Sequence, residues 1–237
     1  MVFLHHFGGD AGSWHWVASE LQTEFRCIAL DLPGFGHTSP LKQPSLKAYG
    51  DFVCQTLTHL EIDTFVLVGH SMGAKIALQV AASLQGERLQ AVVLVTPSPP
   101  TQEPISYRER TRLLNYHSNQ ENAQITIDRA IQKPLTERRR SIAVRTHMNV
   151  AESAWCWWLL EGMNHSIADQ MKHVRVPVTI LASQDDPVIP YPIIQQEVMG
   201  VLPNAQLVEI SGVGHLMPLE APVLVATAIR RAIAPVA

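Results

Sequence analysis

A short glycine-rich segment, residues 69–73 with the sequence Gly-His-Ser-Met-Gly, separates two stretches of opposite character. Residues 64–68 before it are β-branched, aromatic or aliphatic, which favours a buried strand. Residues 74–82 after it are helix-forming and contain no breaker. Glycines at such a junction allow a sharp strand-to-helix turn that projects the central side chain from the backbone. The pattern predicts a nucleophile elbow that presents Ser71.

A serine hydroxyl is a weak nucleophile at neutral pH, so this hypothesis requires a histidine base and a carboxylate to orient it. Residues 176–182 have the composition of a buried strand and lead into a turn that carries Asp185 and Asp186. A second strand-like run, residues 205–210, leads to His215 in a glycine-flanked loop. The chain order is therefore serine, aspartate, histidine, with two candidates for the aspartate.

Strand-like and helical segments alternate along most of the chain, which indicates a parallel sheet covered on both faces. The predicted fold class is α/β, with a mostly parallel sheet of about six strands flanked by helices. The stretch between Pro100 and Pro177 shows helical patterns but no convincing strand, and we expect a helical cap over the site there. The predicted strands lie near residues 2–5, 26–31, 64–69, 91–96, 177–182 and 205–210.

Three further motifs accompany the elbow in a consistent order. They are residues 4–9 (Leu-His-His-Phe-Gly-Gly), residues 31–39 (Asp-Leu-Pro-Gly-Phe-Gly-His-Thr-Ser), and His215 with Glu220-Ala221-Pro222 behind it. With these motifs the chain resembles the α/β-hydrolase superfamily, in particular its serine esterases with a helical cap. The resemblance covers nearly the whole chain and implies a core domain of residues 1–100 and 171–237 with a cap of residues 101–170.

The resemblance also implies roles for individual residues. Ser71 would be the nucleophile and His215 the base. The superfamily's G-x-x-D pattern selects Asp186 rather than Asp185 as the carboxylate, with Ser183 in the place of the glycine. The oxyanion hole would consist of the backbone N–H groups of Phe7 and Met72, and no cofactor or metal ion is implied.

The cap is expected to determine the substrate. Residues 155–160 (Trp-Cys-Trp-Trp-Leu-Leu) form a dense apolar cluster, and we expect Trp155 and Trp158 to contact substrate if they face the elbow. His6, which stands where the superfamily usually has glycine, is a third candidate substrate-binding residue. We also expect the Met72 side chain to line the pocket.

Composition excludes several other function classes. The net charge of −3 argues against a polyanionic partner such as nucleic acid. No stretch is long and apolar enough for a membrane span, so the cytoplasm is the expected location. Three cysteines on apolar segments indicate reduced, buried thiols, and His5 and His6 lack a third ligand at a spacing suited to a metal.

The chain departs from the superfamily pattern at its first strand. Relatives normally begin with two further strands, whereas here the strand of the oxyanion loop starts at Val2. In the superfamily's strand order this would leave the strand at residues 26–31 as an unprotected edge. Either a partner chain covers it, in a homodimer formed through that edge, or the sequence is a truncated version of a longer one.

The expected activity is hydrolysis of a carboxylic ester of a small or medium, largely apolar molecule through a Ser-His-Asp acyl-enzyme mechanism. The same triad would also serve a lactonase, a C–C bond hydrolase or a cofactor-free perhydrolase. A small-molecule receptor with this fold is an alternative of another class, because fold does not determine function.

Overall fold

The computed structural model describes residues 1–84 and 88–234. Within these residues, six strands form one sheet in the order β2-β1-β3-β4-β5-β6, and every strand pair is parallel. The mostly parallel six-stranded sheet predicted from the sequence is thus confirmed. The strands are β1 Val2–Leu4, β2 Ile28–Leu30, β3 Phe65–His70, β4 Leu89–Val95, β5 Val178–Ala182 and β6 Gln206–Glu209.

Helices cover both faces of the sheet, as the alternating pattern predicted. Side chains of β3 and β4 alternate between two hydrophobic clusters because successive residues of a strand point to opposite faces. The helices are α1 His15–Leu21, α2 Leu46–His59, α3 Met72–Ser83, α4 Tyr107–Asn115, α5 Gln120–Ala130, α6 Glu137–Met148, α7 Glu152–Leu160, α8 Tyr191–Ile193, α9 Met217–Glu220 and α10 Pro222–Ile233. Short 3-10 helices span Ala11–Trp14, Gly162–Asn164 and Ala168–His173, and a π-helical turn spans Ile194–Val198.

The cluster on one face contains side chains of α1 and α10, and the cluster on the other contains those of α2 and α3. Trp14, Val17 and Leu21 are fully buried on the first face. Tyr49 of α2 is fully buried on the second face, where its ring stacks on Trp157 of α7 at a centroid distance of 4.8 Å. The hydrophobic cluster on the second face therefore extends to the helices that follow β4.

Helices α4 to α7 form an insertion between β4 and β5. Its two connections to the sheet are joined by backbone hydrogen bonds, from the Glu103 N–H to the Met163 oxygen (2.9 Å) and from the Ile167 N–H to the Pro100 oxygen (2.7 Å). Lys75 of α3 is fully buried and donates to the Thr101 oxygen of the first connection at 2.7 Å. Burial lowers the pKa of this ammonium group to about 8. This hydrogen bond thus holds the start of the insertion against α3, the helix that follows the elbow.

Strand β2 lies at one edge of the sheet, as expected, but it is shorter than the predicted run of residues 26–31. The homodimer expected from this edge stays a prediction. Residues 85–87 and 235–237, which fall within the predicted core domain, lie outside the described residues. Within the described part of the chain, no helix combines the length and apolar character that crossing a membrane requires. The three cysteines are free and half-buried rather than buried, because each lies at the margin of an apolar cluster.

Candidate active site

Ser71 occupies the turn between β3 and α3 with a φ of +52° and a ψ of −116°. A positive φ is unfavourable for serine, and such strain is typical of residues held in place for function. The flanking glycines make the turn possible. A Cβ atom on Gly69 would lie 2.4 Å from the Gly73 oxygen, and one on Gly73 would lie 2.5 Å from the Leu4 and His5 oxygens. The strand, the turn and the helix can therefore pack this closely only with glycine at both positions.

Ser71, His215 and Asp186 lie in one hydrogen-bonded chain. The His215 Nε2 is 2.9 Å from the Ser71 Oγ, and the His215 Nδ1 is 2.9 Å from the Asp186 Oδ2. The other carboxylate oxygen of Asp186 accepts the N–H groups of Val188 (2.8 Å) and Ile189 (3.0 Å). A carboxylate only accepts hydrogen bonds, so the proton of the neutral imidazole lies on Nδ1 and Nε2 is free to accept from Ser71.

Asp185, the other candidate carboxylate, points away from this chain. Its side chain is exposed and accepts the Gly212 N–H at 2.7 Å. Its own N–H donates to the Ser183 hydroxyl at 3.1 Å. Asp185 thus supports the loop that carries His215, while Asp186 faces the imidazole.

The electrostatic surroundings of His215 favour its protonated form. Burial lowers the pKa of the imidazole, but the charge and hydrogen bond of Asp186 act in the opposite direction. The carboxylates of Glu103 and Glu220 add to this, and the net result is a pKa above the ordinary histidine value. His215 is therefore suited to hold a proton transiently between Asp186 and Ser71.

Phe7 and Met72, the residues expected to form the oxyanion hole, both lie near Ser71: Phe7 lines the same cavity, and Met72 directly follows Ser71. Phe7 lies in the turn after β1, and Met72 is the first residue of α3, where backbone N–H groups lack intrahelical partners. Neither N–H donates a hydrogen bond within residues 1–84 and 88–234. The Met72 side chain, however, does not line the pocket as expected: it is fully buried in the core, because the helix turns it toward the sheet.

A cavity of about 340 Å³ lies between the elbow and the insertion. Ser71 and His215 form part of its wall, together with His6, Phe7 and Trp158. Trp158 and His6 thus share this cavity with Ser71 and His215. The further apolar wall residues are Pro104, Ile105, Leu113, Ile127, Ala130, Leu159, Met163, Pro187, Val188 and Leu216.

The expectation that Trp155 contacts substrate needs correction, because Trp155 does not line the cavity. It is fully buried, its indole N–H donates to the Leu113 oxygen at 3.0 Å, and its ring packs behind Phe7 at a centroid distance of 4.4 Å. Trp155 therefore supports the loop that carries the Phe7 N–H instead of forming a wall of the cavity.

The sequence reasoning missed several polar wall residues, and two of them are buried. Glu103 and His147 both line the cavity, and the Glu103 Oε2 and the His147 Nε2 are buried without a hydrogen-bond partner in the described chain. Burial raises the pKa of the Glu103 carboxyl and lowers the pKa of His147 to about 4. Neither residue belongs to a recognisable motif, so only the folding of the insertion over the elbow reveals them.

Within the described residues, no cluster of histidine, cysteine and acidic side chains is arranged to hold a metal ion. His5, beside the predicted oxyanion loop, has both ring nitrogens engaged. Its Nδ1 donates to the His6 oxygen at 2.8 Å, and its Nε2 accepts the Leu32 N–H at 3.1 Å. The ring thus ties the loop after β1 to the loop after β2.

Residues 1–228 match the family model described as "Alpha/beta hydrolase family". The chain belongs to this family. It is 25% identical over 249 residues to the uncharacterized hydrolase YugF of Bacillus subtilis, across 95% of this chain and 86% of that protein. Several other curated matches are partial. The chain is 34% identical over 99 residues to the pimeloyl-[acyl-carrier protein] methyl ester esterase of Yersinia enterocolitica, across 42% of this chain and 36% of that protein.

The chain is also 37% identical over 98 residues to the dihydrolipoyllysine-residue acetyltransferase component of an acetoin cleaving system of Cupriavidus necator. That match spans 41% of this chain and only 26% of that protein. Among solved structures, a thermophilic esterase from Thermogutta terrifontis superimposes with a TM-score of 0.80 at 25% identity, across 97% of this chain and 87% of that one. An esterase from Exiguobacterium antarcticum reaches a TM-score of 0.87 at 14% identity, across 98% and 90%, which shows the fold alone.

Proposed function

We propose that this protein is a serine hydrolase that cleaves a carboxylic ester of a small or medium, largely apolar substrate. The observation that carries the proposal is the pair of 2.9 Å contacts that join Asp186, His215 and a Ser71 held at positive φ. Membership of the α/β-hydrolase family and similarity to solved esterases support the same reaction class.

The proposed reaction has two steps. The His215 Nε2 removes the Ser71 proton while the Oγ attacks the ester carbonyl carbon, and the resulting imidazolium is stabilised by Asp186. The same proton then passes to the departing alcohol, which leaves Ser71 acylated. Water next attacks the acyl-enzyme with His215 again as base, releasing the acid and free Ser71. No metal or organic cofactor takes part in these steps.

The negative charge that develops on the carbonyl oxygen needs donors that are already in place. The N–H groups of Phe7 and Met72, which donate no hydrogen bond within the described residues, are proposed as these donors. Met72 has an additional advantage, because the N-terminus of α3 carries a partial positive charge from the helix dipole.

The helical insertion, residues 101–170, is proposed as a cap that selects the substrate, above a core of residues 1–100 and 171–237. In support, α4, α5 and α7 all contribute side chains to the cavity wall. The apolar residues of the cavity wall favour substrates with alkyl or aromatic groups. The cavity volume of about 340 Å³ is at the small end of typical ligand pockets. We therefore expect short and medium acyl chains to react faster than long ones.

The test is hydrolysis of p-nitrophenyl esters from acetate to decanoate by the wild type and by Ser71→Ala. Labelling with a fluorophosphonate and intact mass measurement report on the same serine. We expect turnover and labelling in the wild type, neither in Ser71→Ala, and a rate maximum at a short or medium chain. Ser19→Ala is the matched control and should behave as wild type, because Ser19 is exposed and its hydroxyl donates to the His15 oxygen of the same helix.

Most of the ester turnover surviving in Ser71→Ala would overturn the proposal. Labelling of Ser71 without ester turnover would leave an activated serine but contradict the ester substrate. That result would favour the lactonase, C–C hydrolase, perhydrolase or receptor alternatives.

A further inference from the structure

The backbone carbonyl of His215 accepts two side-chain hydrogen bonds. The His70 Nε2 lies 2.8 Å from this oxygen, and the Thr96 Oγ donates to it at 3.2 Å. His70 and Thr96 are each about 1% exposed, so water does not compete for these contacts. Neither residue belongs to the proposed reaction steps.

His70 meets this carbonyl as a donor. Burial, together with the neighbouring His215, lowers its pKa well below the ordinary histidine value, so its ring is neutral and carries one proton. A carbonyl oxygen can only accept, which places that proton on Nε2. The ring is further held between His6, at a centroid distance of 4.7 Å, and Trp14, at 6.1 Å.

Thr96 follows β4 with a φ of +39°, which is a rare conformation for a β-branched residue. Its N–H donates to the Leu181 oxygen at 2.8 Å, which fastens the end of β4 to β5. Backbone strain of this kind persists only where surrounding contacts over-determine it. Here one consequence is that the hydroxyl reaches the His215 carbonyl.

We infer that His70 and Thr96 are positioning residues, which set the His215 imidazole against Ser71 by holding the His215 backbone carbonyl. The inference rests on the proposed function. His70 ends β3, Thr96 follows β4 and Asp186 follows β5, so the ends of three neighbouring strands locate one imidazole. Since His70 directly precedes Ser71, a shift of the elbow also moves the group that places the base.

The test uses variants that separate the donor from packing. His70→Leu removes the donor, whereas His70→Gln places an amide N–H near the position of the ring Nε2. Thr96→Val removes the hydroxyl at equal volume, and Thr96→Ser retains it. Each variant is assayed with p-nitrophenyl butyrate, and fluorophosphonate titration counts the active serines so that rates refer to folded enzyme.

We expect His70→Leu to lower kcat by about 10- to 100-fold, with KM changed by less than about twofold, because small misplacements of a base lower the rate of chemistry without lowering affinity. His70→Gln should recover most of the loss. Thr96→Val should show a smaller loss that Thr96→Ser largely avoids.

The pH profile of kcat/KM gives a second test, because its acidic limb reports the pKa of His215. A purely structural role of His70 would leave that pKa unchanged. In His70→Leu the limb should shift to lower pH, since the imidazole drifts from Asp186, whose charge raises its pKa. The other titratable groups facing His215 are Glu103, Glu220, His6 and His70 itself.

Wild-type kcat and an unmoved limb in folded His70→Leu and Thr96→Val would overturn the inference. So would an equal loss in His70→Gln and His70→Leu, because that would point to ring packing. Should His70→Leu fail to fold, the Thr96 pair decides the matter. Failure of the proposed function itself is distinguishable, because it would appear as turnover retained in Ser71→Ala, or as a wild type whose Ser71 is labelled but that does not hydrolyse the esters.

Discussion

The two adjacent aspartates after β5 differ in what they contact. Asp186 faces the imidazole of His215, whereas the exposed Asp185 accepts a backbone N–H from the loop at Gly212. The sequence motif favoured Asp186, but the residues alone left both open. The choice depends on the direction of each side chain in a turn, which composition does not encode.

We expect Asp186→Asn to lower kcat by roughly 10³- to 10⁴-fold, because the amide no longer stabilises the imidazolium and favours the wrong tautomer. The remaining acidic limb of kcat/KM should move to lower pH, since the carboxylate that raises the His215 pKa is gone. Steady-state kinetics from pH 5 to 9 measures both effects. Asp185→Asn is the matched control, and a loss as large as that in Asp186→Asn would refute the assignment.

His147 makes the stability of the protein sensitive to acid. Burial lowers its pKa from 6.5 to about 4, so between these values the unfolded chain binds a proton that the folded chain does not. The free energy of unfolding therefore has its full value, as far as this group is concerned, above about pH 6.5, and it decreases as the pH falls from there toward 4. For this group alone the loss between pH 7 and pH 5 is about 2 kcal/mol.

The prediction is that His147→Phe, which keeps a ring beside Trp155 but cannot titrate, reduces the stability difference between pH 7 and pH 5 by about this amount, up to 2 kcal/mol. Urea unfolding at the two pH values measures it. His59→Gln, at an exposed position, should show the wild-type difference. An unchanged difference in His147→Phe would contradict the prediction.

At the scale of the element, the junction of β3 and α3 is the most constrained part of the fold. The strand, the turn and the helix were all predicted from residues 64–82, because hydrophobic pattern, glycine and helix propensity agree there. The close approach of α3 to the loop after β1 was not predictable, since it involves atoms distant in the sequence.

Gly73→Ala should therefore destabilise the protein by more than about 4 kcal/mol or prevent folding, because its Cβ would meet two backbone oxygens that cannot move aside. Gly212→Ala is the matched control: Gly212 has a φ of +68° but an added Cβ would meet no atom closer than 3.9 Å. That variant should lose only about 1–2 kcal/mol from the unfavourable backbone conformation. Chemical unfolding compares them, and equal losses would show that conformation, not close packing, makes Gly73 necessary.

For the whole molecule, the edge strand β2 offers a surface through which two copies of the chain can pair. The Ile28 N–H donates to the Met1 oxygen, so the backbone groups of the next residue, Ala29, point away from the sheet. Such outward groups are open to pairing with another strand.

We expect a dimer at micromolar concentration and a monomer for Ala29→Pro, which removes the outward N–H without deleting a hydrogen bond to β1. Sedimentation velocity measures the two states. Val208→Lys, which alters the opposite edge strand, should remain dimeric. A monomeric wild type, or a Val208→Lys variant that dissociates while Ala29→Pro does not, would rule out pairing through β2.

Local sequence patterns were enough to predict the alternation of strands and helices, the elbow, and the chain order of a serine, an aspartate and a histidine, because these features depend on hydrophobic pattern and on turn residues. Tertiary structure alone decided that Trp155 packs behind Phe7 while Trp158 lines the cavity, that Glu103 and His147 face the cavity, and that His70 holds the base. These contacts join segments up to 145 residues apart. Their geometry depends on how the insertion packs on the sheet, and no local pattern specifies that packing.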